Sequence, residues 1–117
     1  MSGPIPSRTR ELISRRDGTQ CFRCGCGGAH ELHHRRRRRD GGHHLSNLIR
    51  LCTTCHQWVH AHPDEARAGG WIVSAYVANP AVIPVRHYTG DQVMLDDTGG
   101  IHWFPPRQPE TVRPLTQ

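Results

Sequence analysis

Two Cys-x2-Cys pairs, Cys21/Cys24 and Cys52/Cys55, with 27 residues between them, constrain this chain more than any other feature. A tight turn with cysteines at i and i+3 offers two sulfurs, and two such turns complete the tetrahedral thiolate set that Zn²⁺ prefers. Gly25, Gly27 and Gly28 let the first knuckle bend. Four thiolates leave the ion no open position, so this zinc is structural rather than catalytic. Cys26 is a fifth thiol: it is either a spare or a replacement for Cys24, and the Cys21–Cys24 spacing is the commoner one. The chain needs such a staple. With 117 residues, 35% of them hydrophobic, and only two Phe and two Tyr, its core is modest.

Cysteines used as ligands rather than disulfides fit a reducing, cytoplasmic setting. The N-terminus MSGPIPSRTR lacks the apolar core of a secretion signal. No apolar run reaches the roughly 18 residues of a membrane span, so no membrane partner is expected.

Histidine supplies the second constellation, with ten in the chain. His56 and His60 stand four apart, which on a helix puts both rings on one face. His33 and His34 are adjacent near the end of an apolar–polar segment. In a regular strand they point to opposite faces, so one ligates while the other stands apart, and a bend at the strand end lets both address one cleft. Three imidazoles with room for water describe a catalytic metal site. His43 and His44 flank a Gly-Gly loop end, where they touch phosphate or offer an alternative base.

The charge is +5, from 15 basic and 10 acidic residues, and every basic residue is Arg. Arg35 to Arg39 form an unbroken run, which favours a polyanionic partner. Arg35 is read as a phosphate clamp, with Arg37 and Arg39 tracking the backbone. Arg8, Arg10, Arg15 and Arg16 add to non-specific binding.

Local patterns predict a disordered segment 1–7, a helix over 8–16 buried through Leu12 and Ile13, and strands at 30–35 and 48–51. They predict a helix from Cys52 to about Ala61 capped by Thr53 or Thr54, and a further turn after Pro63. A strand at 71–77 and a hairpin of 91–95 with 101–104 follow. Trp71, Ile72, Val73, Tyr76, Val93, Leu95, Ile101 and Trp103 are assigned to a β-rich cover, and 105–117 to a flexible Pro-rich tail. One domain, 8–104, is expected, with its core motif at 21–62 and an extension at 71–104.

The stretches CFRCG, ELHHR, GG and NLIRLCTTCHQWVH, spanning Cys21 to His60, resemble the HNH endonuclease family, and the whole chain looks like the small HNH proteins of tailed bacteriophages. The resemblance implies a small α+β fold around a ββα-metal motif stapled by the four-cysteine zinc. It also implies a metal-dependent endonuclease acting on double-stranded DNA with little sequence preference. His33 takes the first ligand position, His34 the general base, Asn47 the central Asn that holds the base, and His56 and His60 the remaining ligands. An all-histidine set leaves Mg²⁺, Mn²⁺, Zn²⁺, Ni²⁺ and Co²⁺ all open as the catalytic cation. The family context adds phage terminase and packaging proteins as partners, a bacterial host cytoplasm as the setting and a monomeric state. The alternative is a non-catalytic, zinc-containing nucleic-acid-binding module.

Overall fold

The computed structural model describes residues 4–37 and 42–104. Helix α1 (Ser7–Asp17) ends at Gly18, where φ turns to +64°. It buries Ile13 against Ile5, Leu45 and Leu48. Ile5, within the segment expected to be disordered, is buried in that small cluster; residues 1–3 and the 105–117 tail lie outside the described residues. Arg16 is also spent inside. It pairs with Asp17 at 2.8 Å and donates to the carbonyls of Leu45 and Leu48, so it is not an outward cation for a polyanion.

Strand β1 (Glu31–His34) pairs antiparallel with β2 (Leu48–Leu51), Glu31 opposite Leu51 and His34 opposite Leu48. A long connection carries the arginine run and ends in a 3-10 turn, Leu45–Asn47. Helix α2 (Thr53–Ala61) follows β2 directly, and its N-cap is Cys52 rather than a threonine. The Cys52 sulfur accepts the Cys55 amide at 3.4 Å, so the knuckle itself supplies the acceptor that the first helical turn requires. Pro63 opens helix α3 (Pro63–Ala68), where its fixed φ suits the first turn.

Residues 71–77 are not a strand. The amides of Trp71 and Ile72 bond back to the Ala66 carbonyl, and Val73 donates to the Arg35 carbonyl, so no ladder is available to them. Trp71 and Val73 are buried from an irregular segment, whereas Tyr76 is 99% exposed and covers nothing. Gly70 makes the crossing possible: at φ +82° it approaches so closely that a Cβ there would lie 2.1 Å from the Pro84 carbonyl oxygen.

The chain then forms β3 (Val85–Arg86), which the sequence pattern does not announce, beside the expected hairpin of β4 (Gln92–Leu95) and β5 (Ile101–Phe104) in the order β3-β4-β5. Its Val85, Val93 and Leu95 meet Phe22, Ile49, Leu51, Val59 and Trp71 in one core that also encloses Cys21 and Cys55. Among the described residues, no helix is long and apolar enough to cross a membrane.

Candidate functional site

The first knuckle and the start of α2 bring Cys21, Cys24, Cys52 and Cys55 together, with all four sulfurs within 4.8 Å of one another. Tetrahedral zinc with bonds near 2.3 Å places its sulfurs about 3.8 Å apart; Cys24 and Cys52 Sγ are 3.9 Å apart. The surroundings suit thiolates. Backbone amides of Cys24 and Cys55 point at the sulfurs of Cys21 and Cys52, and Arg23 Nη1 reaches Cys55 Sγ at 3.4 Å. The Cys26 amide is the main cause drawing the Cys24 thiol down to about 7. Burial pushes the Cys55 thiol up to about 12, with the Arg23 hydrogen bond opposing. Cys26 is exposed and lies outside the converging four-sulfur group. Arg23 is itself fixed by stacking 3.7 Å above the ring of Trp58.

A second group joins β1 to α2. Donor nitrogens of His33, His56 and His60 lie within 4.8 Å of one another, and the ring centroids are 5.0–5.5 Å apart. His33 is buried and His60 exposed, so the group opens from core to surface. His33 Nε2 donates to the Trp71 carbonyl at 2.7 Å, and His56 Nδ1 donates to Glu31 Oε1 at 2.7 Å. These bonds leave His33 Nδ1 and His56 Nε2 as the nitrogens for a cation. Burial is the main cause holding His33 down to about 4, so it stays a neutral ligand through the physiological range. Glu31, Thr53, His56, Gln57, His60 and Ala61 line a cleft of about 470 Å³ beside this group.

His34 leaves β1 on the other face, and its Nε2 lies 3.1 Å from His43 Nδ1. The expected strand-end bend into one shared cleft does not join it to the trio; its ring partner is His43. Asn47 does not hold the His34 ring. Its side chain accepts from the Arg36 amide and donates to the carbonyls of Arg36 and Gly42, which ties down both ends of the arginine loop and so positions the segment leading to His43.

Arg35 corrects the expectation most sharply. It is 1% exposed, and its guanidinium donates to four carbonyls, of Gly70, Ser46, Pro80 and Ile83, at 2.8–3.3 Å. It is an internal clamp between the strand end and the 70–83 segment, not a phosphate contact. Arg37 is exposed, and Arg39 lies outside the described residues.

Sequence reasoning missed Glu31. The signal was present: Glu31 and His33 are two apart on one strand and share a face, and Thr53 precedes His56 by three on α2.

Fold and site together define a small α+β domain with a four-cysteine cluster capable of holding a metal ion and a separate three-histidine cluster. Comparison with known proteins adds no family: no family model matches the chain, and no curated protein or solved structure matches it.

Proposed function

We propose that this chain is a metal-dependent endonuclease of the HNH type that hydrolyses phosphodiester bonds of double-stranded DNA. The observation that carries the reading is the convergence of His33, His56 and His60 beside a separate, saturated four-cysteine cluster. Nitrogen ligands on one cation stand about 3.4 Å apart in a tetrahedron, and each of the two ligands with a resolved second bond has its other nitrogen engaged by a carbonyl or a carboxylate. The donor set therefore suits a divalent cation with open positions. Bound there, such an ion would polarise a phosphate oxygen and stabilise charge that develops on the leaving oxygen.

The chain's own groups do the rest. His34 is the proton acceptor for the attacking water. In the tautomer that donates Nε2–H to His43 Nδ1, 3.1 Å away, its own Nδ1 carries the lone pair that takes the proton. Asn47 holds the loop on which His43 sits. Phosphate contacts fall to Arg37 and to Arg39 of the arginine run, giving salt-dependent, weakly sequence-selective binding. By resemblance to the phage proteins, assistance to terminase in DNA packaging is the proposed context. A non-catalytic binding module would use the cysteines and arginines but leave the three converging imidazoles without a role.

Plasmid cleavage measured across Mg²⁺, Mn²⁺, Zn²⁺, Ni²⁺ and Co²⁺ tests this. Cutting is expected with at least one cation, and His34→Ala should lower it by roughly 10²–10⁴-fold with zinc content and DNA affinity retained. Cleavage at the wild-type rate by that variant would rule out His34 as the base.

A further inference from the structure

The back of the His56 ring is built. Glu31 Oε1 accepts from His56 Nδ1 at 2.7 Å, while Glu31 Oε2 accepts the Thr53 hydroxyl at 2.6 Å. Both carboxylate oxygens are thus engaged, one from each end of the turn that carries His56. Glu31 is outside the group whose donor atoms converge, so it is not itself one of the ligands. Its side chain is 30% exposed and that of His56 is 27%, which leaves the pair partly shielded from solvent at the cleft edge. Strand pairing makes the arrangement rigid, since Glu31 lies opposite Leu51, the residue before the cysteine that caps α2.

From this geometry we infer that Glu31 is a positioning residue for the cation: it fixes the His56 tautomer so that Nε2 faces the ion, and its negative charge makes that nitrogen a stronger donor. The physical basis is general. A carboxylate that accepts the far N–H of a ligating imidazole orients the ring and raises its basicity, and loss of such a partner typically costs 10–100-fold in metal affinity. Thr53 adds the second constraint by keeping the carboxylate from rotating away. The Trp71 carbonyl does the orienting for His33 but brings no net charge, so Glu31 is the charged member of the support. The inference rests on the reading of His33, His56 and His60 as one cation site.

The test uses the full chain with zinc in the cysteine cluster, titrated with Co²⁺ and followed by its visible absorption, with affinity set by a competing chelator. Wild type should bind one further equivalent. Glu31→Gln keeps the shape and removes the charge, and should weaken that equivalent by about 10-fold; Glu31→Ala should weaken it by up to about 100-fold. Neither should change the zinc content. Wild-type affinity in both variants overturns the role of Glu31 and leaves the three-imidazole site standing. Absence of the further equivalent in wild type overturns both. Nitrogen NMR of the wild-type imidazoles with zinc at both sites needs no variant to fold: the His56 Nδ1 should keep its proton and Nε2 carry the metal shift. Coordination through Nδ1 would overturn the inference directly.

Discussion

The two clusters are built from the same stretch of chain and differ in almost every physical respect. Both take residues from the region before or within β1 and from α2. The cysteine cluster closes on itself with four sulfurs, two of them on buried residues, and with amide and guanidinium donors around it. The histidine cluster has three donors among the described residues and opens from buried His33 to exposed His60. Saturation suits a staple, and incompleteness suits a site where water and substrate must enter. On the proposed reading, the contrast also divides the energies: metal in the cysteine cluster would contribute to folding, and the histidine cluster would be held ready by a fold already made.

The sharpest way to break that division is Cys55→Ser. It should remove the zinc and with it cooperative folding, because metal binding is folding energy in small domains of this kind, on the order of 10 kcal/mol. Metal content and the thermal transition read it out. A folded, zinc-free Cys55→Ser protein would refute a structural role for the cluster.

Arg35→Ala should come next, destabilising by about 3 kcal/mol or more because four buried or partly buried carbonyls lose their donor. Urea unfolding measures this, and Arg35→Lys should rescue little, since one ammonium cannot reach all four oxygens. If Arg35→Ala instead weakened DNA binding at unchanged stability, the internal assignment would be wrong.

The histidine cluster should show a pH signature of its own, carried by His33. His33 titrates near 4 in the fold, below its ordinary value near 6.5. The unfolded chain therefore binds the proton more tightly, and His33 contributes stability that is present in full above about pH 6.5 and is lost as pH falls toward 4. The span is worth about 3 kcal/mol. Unfolding free energies from pH 7 to pH 5, wild type against His33→Gln, should diverge at the high end; parallel curves would contradict the burial argument.

The smallest effect is reserved for Cys26→Ser. Cys26 lies outside the converging four, so zinc content and stability should hold within about 0.5 kcal/mol. Zinc loss in this variant, with Cys24→Ser retaining it, would exchange their roles.

Much of this was legible in the residues because it depends on short-range rules. The two knuckles, strand β2, helix α2 and the β4–β5 hairpin follow from ligand spacing, apolar period and turn chemistry, all of which act over a few residues. The same holds for His56 and His60, neighbours on any helix. Two readings needed more. The 71–77 segment has a strand's composition, yet composition does not supply a pairing partner, and its amides find Ala66 and Arg35 instead. Tyr76 was assigned to the cover by its apolar ring, and only the path of the loop puts it outside.

What the sequence alone determined, then, is which residues bring chemistry: thiols in pairs, imidazoles at helical and strand spacing, and a run of guanidinium groups. The tertiary structure decided which way each one faces. Arg35 and Arg37 are indistinguishable in a run of five arginines, but one is drawn inward by four carbonyls from distant segments and the other is left at the surface. His34 meets His43, and Glu31 meets His56, for the same reason. Hydrogen bonds to buried groups are satisfied by whatever the folded chain brings within about 3 Å, and that is a property of the packed whole rather than of any local stretch.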